Sequence, residues 1–319
     1  MPSLFVYISP NKYKLMKTIL ITGGSGLIGR KLSDLFIEKG YIVIWLSRER
    51  FLETKFPRYR WDYQNGEIDL EAVEQADIII HLAGCNLGDG YWTKVRKRRI
   101  VESRVMTSRL LLDSMKKINK KPDLFVSSSA IGYYGMHTDN KIYNENDLPA
   151  RNDFLSQTCK KWEEAAFCFK QEEDIRTVVL RTSFVISSQS PALKKIMLPV
   201  RFGFGAPIGS GKQYFSWIHL EDLCELYIKA VEDDTMEGVY NAVSPDQITN
   251  FEFMSILSKV MNSPFIMPKI PAFLIRIFMG EAAGMILEGS QVSSQKAIDI
   301  GFKFKYDSIS KAIEESIKR

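Results

Sequence analysis

The sequence predicts an α/β fold: a doubly wound parallel sheet with a smaller, mostly helical C-terminal lobe. Three observations carry that prediction. Short β-branched apolar runs alternate with stretches of helical periodicity through residues 17–186, the rhythm of βαβ units. Glycines cluster at the first strand-to-helix junction, in the run Gly23-Gly24-Ser25-Gly26-Leu27-Ile28-Gly29. Beyond about Ser187 the rhythm breaks up around Pro191, Pro199, Pro207 and the glycines between 203 and 211.

Each element follows from its own residues. Lys17–Thr22 is a β-branched strand that stops at Gly23-Gly24, and Leu27–Glu38 then places Leu27, Ile28, Leu32, Leu35 and Phe36 at helical spacing. Further buried strands are expected at Tyr41–Leu46, Ile78–Leu82, Asp123–Ser127 and Arg176–Thr182. Long helices are expected at Trp92–Lys117 and over 152–171, the latter with the stripe Leu155, Cys159, Trp162, Ala166 and Phe169. One more strand is expected at Gly238–Asn241, while Pro264, Pro268 and Pro271 punctuate a mostly helical C-terminus. The domain reading is a leader of unknown role at 1–16, a nucleotide-binding domain at 17–186, and a substrate lobe at 187–319 from which 214–245 return to the sheet. Met16 is a second candidate first residue.

Composition excludes several classes. With 319 residues, 45% hydrophobic and 25% charged, the chain has enough apolar surface for a sizeable core and is neither a coiled coil nor a disordered tail. A net charge of +5 is modest for this length and does not imply nucleic acid. The four cysteines at 85, 159, 168 and 224 include no CxxC pair, and the histidines are 81, 137 and 219. A structural zinc site and a disulfide framework are therefore not expected, and reduced thiols in a cytoplasm are. No run of ~18 apolar residues exists to span a bilayer, so neither a membrane nor nucleic acid is expected as a partner; a small-molecule substrate is, and a homodimer is compatible.

The glycine run carries the most chemistry. In GxxGxxG between a strand and a helix, Gly23 permits the tight turn, Gly26 lets backbone approach a pyrophosphate, and Gly29 lets the helix pack on the strand. Leu27 and Ile28 then open the helix whose N-terminus holds phosphate charge. The next strand ends at Ser47-Arg48, followed by Glu49-Arg50. A hydroxyl followed by a planar guanidinium suits a 2′-phosphate, which favours NADP(H) over NAD. Leu82, Ala83 and Gly84 are small enough for adenosine to lie against the backbone, and His81 reads as a packed strand residue. The strand at Phe125–Gly135 (FVSSSAIGYYG) opens into hydroxyls at Ser129, Tyr133 and Tyr134, where a nicotinamide and a substrate carbonyl are expected to lie.

Lys94, Arg96, Lys97, Arg98 and Arg99 read as a solvated basic face, with Arg104 one turn further in pointing at the cofactor. Val185, after the Arg176–Thr182 strand, lines the nicotinamide half. Gly209-Ser210-Gly211-Lys212-Gln213 lacks Walker spacing and reads as a substrate loop, and His219 and Asp222 support the fold.

Over roughly 17–315 the chain resembles the extended short-chain dehydrogenase/reductase superfamily, within it an atypical group labelled epimerase-family or nucleoside-diphosphate-sugar epimerase. The resemblance rests on TGGSGLIG, the strand-end SR, HLAG, ESRVMTS, SSSAIGYYG, KKWEEAA, LRTSFVIS, GSGKQYFSWIHLEDL, YNAVSPDQITNFEF and GFKFKY in one order. It implies a Rossmann domain binding NADP(H) beneath a substrate lobe. It also exposes a departure. Family catalysis uses a Ser and then a Tyr-x-x-x-Lys pair on the following helix, whose Lys lowers the phenol's pKa. Anchored on Trp162-Glu163, that pair falls on Leu155 and Cys159. The atypical group is similarly described with Cys at the Lys position, the Ser kept (here Ser129) and Arg for a helix Asn (here Arg104). Two hypotheses follow. The first is an oxidoreductase or epimerase acting on a nucleotide sugar or other small carbonyl compound, with Ser129 orienting the carbonyl and Tyr133 or Tyr134 as the acid. The second is a non-catalytic NADPH-binding regulator, linked to cell division by the label that related proteins often carry.

Overall fold

A computed structural model describes residues 16–48 and 55–317; the leader through residue 15, and Glu49 and Arg50 of the strand exit, lie outside the described residues. The first half runs β1 (Thr18–Thr22), α1 (Leu27–Glu38), β2 (Ile42–Ser47), β3 (Arg58–Asp62), β4 (Glu67–Ile68), α2 (Leu70–Gln75), β5 (Ile78–His81), α3 (Lys94–Ile118) and β6 (Leu124–Ala130). After β7 (Ile142–Tyr143) come α4 (Phe154–Glu173), β8 (Arg176–Thr182), β9 (Phe184–Ile186), α5 (Pro191–Arg201), β10 (Trp217–His219), α6 (Leu220–Glu232) and β11 (Gly238–Ala242). The chain ends with α7 (Asn250–Val260), α8 (Ala272–Met279), α9 (Gly284–Leu287), β12 (Gln291–Val292), α10 (Gln295–Asp299) and α11 (Ile309–Ile317).

Eight strands form the central sheet in the order β11-β8-β6-β5-β1-β2-β3-β4, parallel except for the β3–β4 hairpin. Both faces are covered, so the inner strands are continuous apolar runs and not alternating ones. Successive side chains of β1 go to opposite layers. Ile19 and Ile21 pack with Leu32 and Phe36 of α1 and Tyr227 of α6, whereas Leu20 packs with Leu111 of α3, and Phe125 and Phe169 on the same side stack at 3.7 Å. From β1 the chain winds outward through β2 to β4, then returns to the other side of β1 at β5. The reversal between β1 and β5 opens a crevice at the carboxyl ends of these strands, where open α/β sheets bind ligands.

No strand was expected between Leu46 and Ile78; the structure has the β3–β4 hairpin there. The Arg-Tyr-Arg-Trp-Asp sequence of β3 is half-exposed apart from Trp61, as suits a strand covered on one side only by the two-residue β4, and hides from a search for buried runs. The turn Asn65-Gly66, with Gly66 at φ 67°, was the available signal.

Beyond β8, Ile186, Leu193, Trp217, Phe253, Leu257 and Ile313 form a separate core for the lobe. β9 pairs with β10, and β7 with β12. α6 covers one sheet face and β11 adds to the sheet beside β8.

Candidate functional site

The glycine loop is fixed by what a side chain would strike. Gly23 has φ 71°, and a Cβ there would sit 3.0 Å from the Leu82 carbonyl carbon. A Cβ on Gly24 would enter the Trp45 indole at 2.4 Å, and one on Gly29 would lie 2.5 Å from the Gly23 carbonyl oxygen. Trp45 is held in turn: its Nε1 donates to Ser33 Oγ (2.8 Å), which donates to Gly29 O (2.7 Å). Gly26 is the N-cap of α1 and offers no side-chain cap. The first N–H groups of that helix therefore lack intrahelical partners and form a positive end suited to phosphate. Leu27 and Ile28 turn their side chains into the core below.

Next to this loop lies a cavity of about 580 Å³. Gly23, Gly26, Ser47, Arg48, Leu82, Ala83 and Gly84 all line it, so most of the expected cofactor residues converge. Gly29, Leu27 and Ile28 stand behind the loop, outside the lining. Val185 lies in β9 opposite Ile218, against the sheet core and away from the cavity lining. The sequence reading missed Trp45, Arg58, Trp61 and Tyr63, and it assigned Arg96 and Arg99 to a solvated face. Both arginines line the cavity, because α3 enters the cleft with its first turn. Lys94, Arg98 and Arg99 are exposed, as the solvated reading required, with Arg99 at the cavity rim, whereas Arg96 is half-buried and Lys97 pairs with Glu281. Asp89 is the one carboxylate among the described lining residues, against four guanidinium groups.

A hydrogen-bond relay braces the far wall. Thr22 Oγ1 accepts from the N–H groups of Leu82 and Ala83, both at 3.1 Å, so its own proton goes to His81 Nδ1 at 2.8 Å. His81 then carries its proton on Nε2 and donates to Thr107 Oγ1 at 3.2 Å, and Thr107 donates to backbone carbonyls of α3. Burial drives the His81 pKa down to about 4. The imidazole is a neutral brace for the loop that holds Ala83 and Gly84, as its packed reading required.

Arg104 sits behind Gly84. Its guanidinium lies 3.1 Å from where a Gly84 Cβ would be and 4.8 Å from the Trp162 ring centre on the other side. Nη1 donates to Ile100 O (2.9 Å) and Nη2 to Cys85 O (3.0 Å). No carboxylate among the described residues pairs with it, and burial lowers its pKa. Gly84 is thus required by a flat cation packed on its Cα.

The end of the cleft toward β6 is built otherwise. Ser129 Oγ donates to Glu163 Oε1 at 2.7 Å. Glu163 also receives both branches of Arg181, Nε to Oε1 and Nη2 to Oε2, each at 2.8 Å. The Arg181 plane covers the Tyr133 ring at 3.4 Å, and its Nη1 donates to the Tyr134 hydroxyl at 3.0 Å. That hydroxyl lies between Asn144 O (2.9 Å) and Asn241 Oδ1 (2.8 Å), and burial pushes the phenol up to about 12. Two expectations are corrected here. Ser129 has its proton committed to a buried carboxylate and is not poised to donate to a carbonyl. Tyr134 is fully buried and saturated with partners, so it is no proton donor to a ligand. Tyr133 is half-buried beneath Arg181.

On α4, Leu155 and Cys159 face Gly132, whose Cβ would lie 3.4 Å from Leu155 Cβ and 3.7 Å from Cys159 Sγ. Leu155 joins Trp92, Ile100 and Ala282 in an apolar cluster. Burial pushes the Cys159 thiol up to about 12. Lys160 and Lys161 are exposed, off this face. The Tyr-x-x-x-Lys positions are therefore occupied by packing residues.

The lobe contributes a second cavity of about 490 Å³, with Met136 and Arg151 on one side and Arg276, Gly280 and Gly284 on the other. The Gly209–Gln213 loop lines neither cavity; buried Gln213 donates to Ile208 O and Ile286 O and staples the lobe. His219 caps α6 by accepting from Glu221 N, and Asp222 accepts from the Lys305 and Tyr306 N–H groups, so both are structural.

Comparison with known proteins decides the family. The profile of the NAD dependent epimerase/dehydratase family matches residues 19–242. The chain belongs to that family. A second profile, described as a domain of unknown function, matches 270–316. Epimerase family protein YfhF of Bacillus subtilis is 31% identical over 304 residues, covering 94% of this chain and 97% of the relative. Human epimerase family protein SDR39U1 is 30% identical, covering 94% and 99%. A crystal structure of human SDR39U1 (isoform 2) with NADPH superposes with TM-score 0.82 at 28% identity, covering 93% and 98%. UDP-glucose 4-epimerase of Thermotoga maritima shares the fold at TM-score 0.75 and 19% identity, covering 94% and 97%. The glycine cradle beside the cavity fits a dinucleotide of the kind the human relative was crystallised with.

Proposed function

We propose that the chain binds NADP(H) in preference to NAD(H), and that it is a nucleotide-responsive binding protein without the acid–base machinery of its superfamily. The observation that carries this reading is the concentration of Arg48, Arg58, Arg96 and Arg99 around one cavity beside the α1 N-terminus. Arg48, next to Ser47 at the β2 exit, takes the 2′-phosphate. Gly23, Gly26 and Gly29 shape the pyrophosphate turn, and Leu82, Ala83 and Gly84 flank the adenosine side. Arg104 stiffens the Gly84–Cys85 backbone on the way to the nicotinamide. The four free cysteines support work in a reducing compartment such as the cytoplasm. The regulated partner is a protein whose affinity depends on the bound nucleotide, with cell division as the process to examine.

A second reading, oxidoreductase or epimerase on a nucleotide sugar or other small carbonyl compound, is favoured by the 490 Å³ cavity between sheet and lobe, a volume typical of small-molecule sites. Calorimetry with NADPH and NADH, followed by NADPH absorbance in the presence of a carbonyl and nucleotide-sugar panel, separates the two. Tight NADPH binding without turnover is expected. Turnover replaces the first reading by the second, and no binding of either phosphorylated coenzyme removes both.

A further inference from the structure

The outer face of the C-terminal lobe has a composition the cofactor cleft does not explain. Residues 191–213 carry Lys194, Lys195, Arg201 and Lys212, residues 259–279 carry Lys259, Lys269 and Arg276, and neither segment contains an Asp or Glu. The two segments are stitched into one surface. Ile208 and Ile270 form a parallel bridge, Ser263 Oγ donates to Val200 O, Lys269 Nζ donates to Ser210 O at 2.9 Å, and the place of a Gly203 Cβ lies 3.6 Å from the Pro264 ring. On this surface Leu198 and Phe204 are each 59% exposed, Phe202 69% and Ile266 81%. From Pro271 the chain enters α8, whose first residue Ala272 lies beside Gly209, while Arg276 further along lines the 490 Å³ cavity.

Exposed apolar area of this extent marks a contact surface, and its charge selects the occupant. A second copy docked about a two-fold axis would set cations against cations with no carboxylate to meet them. An anionic bilayer offers negative charge at the level of the lysines and arginines and an apolar layer just beneath, and needs no residue-by-residue complement. Large apolar side chains interleaved with Lys and Arg are the composition of elements that lie in that interface.

We propose that this face of the lobe docks on an anionic lipid surface, with Phe202, Phe204 and Ile266 entering the headgroup region and the flanking Lys194, Lys195, Arg201 and Lys212 meeting lipid phosphates. This departs from the expectation of no membrane partner, which rested on the lack of a spanning segment. It is compatible with the described helices, none of which is long and apolar enough to cross a bilayer.

The test is flotation of the full chain with phosphatidylcholine vesicles containing about 30% phosphatidylglycerol, against pure phosphatidylcholine, at about 0.1 M salt. Binding to the anionic vesicles is expected, at least ~10-fold weaker without phosphatidylglycerol. Lys195→Glu/Arg201→Glu weakens it by roughly 20-fold or more, at about 5-fold per cation lost. Phe202→Ser/Phe204→Ser weakens it by at least ~10-fold through lost apolar insertion. Both variants keep NADPH affinity, which shows that they fold. Failure of the full chain to float with anionic vesicles overturns the proposal, as does flotation unaffected by either double variant. A chain that instead sediments as a dimer, with Phe202→Ser/Phe204→Ser restoring the monomer, assigns the face to a second copy and also overturns it.

Discussion

The two ends of the cleft are built to opposite rules. At the end beside β2, cationic side chains from β2, β3 and α3 line an open cavity, and the backbone is bared by glycines. At the end beside β6, the polar groups are spent on one another: Ser129, Glu163, Arg181 and Tyr134 form a closed network, and Leu155 and Cys159 pack against Gly132. A polar group serves a ligand only while its hydrogen-bonding capacity is uncommitted. The first end keeps four guanidinium groups against one carboxylate among its described lining residues, an imbalance of charge that suits an anion; the second has paired its charges with one another. Membership of the epimerase family is thus compatible with a β6 end whose Ser129 and Tyr134 hydroxyls are committed to partners within the protein.

The largest test is of the closed end. Arg181→Met leaves Glu163 as a buried, half-satisfied carboxylate, at a cost of about 3–5 kcal/mol in urea unfolding. If this end were instead a solvated active site, the loss would be under about 1 kcal/mol.

Acid sharpens the comparison from the other side. His81 braces the open end and His219 caps α6, and burial holds both near pKa about 4. The unfolded chain takes up protons near its ordinary imidazole pKa of ~6.5 while the folded chain does not. Stability is therefore full above that pH and falls as pH drops through the window from ~6.5 to about 4, by up to ~3 kcal/mol for each histidine. Thermal melts across this window check the sum, and His81→Asn, which removes one titrating group, flattens the profile.

Arg48→Ala addresses the open end alone. Loss of a charge-assisted contact to the 2′-phosphate weakens NADPH by roughly 10–100-fold and leaves NADH within about twofold. Equal losses for both nucleotides would remove the NADP(H) assignment while leaving the cleft itself in place. Gly84→Ala presses a methyl on the Arg104 guanidinium, costing ~1–3 kcal/mol of stability; Gly84→Ala/Arg104→Ala recovers part of that cost if the packing account is right. The smallest effect is expected at Cys159, whose buried thiol resists alkylation in the native protein while half-buried Cys85 reacts.

Much of the fold was legible because its signals are local. Apolar runs at β1, β2, β5, β6 and β8 and the helical stripes of α1 and α4 are properties of neighbouring residues, so their positions differ from the expected ones by only a few residues. The β3–β4 hairpin was hidden because β3, near the sheet margin, alternates charge with aromatics. At the site, Gly23 to Gly29 and Ser47-Arg48 could be read for the same reason, since turn geometry and a strand exit are written in contiguous residues. The place of Arg96 and Arg99 at the cavity was not legible because a charge run looks alike whether it meets water or a cavity.

The sequence by itself determined the winding of the sheet, the phosphate turn and the absence of the Tyr-x-x-x-Lys pair. Only the tertiary structure decided what the remaining polar groups do. Glu163 takes the Ser129 proton from 34 residues away, and Asn241 meets the Tyr134 hydroxyl across 107. A residue type states what bonds it can form, but burial and partners brought in from distant segments decide whether any capacity is left for a ligand.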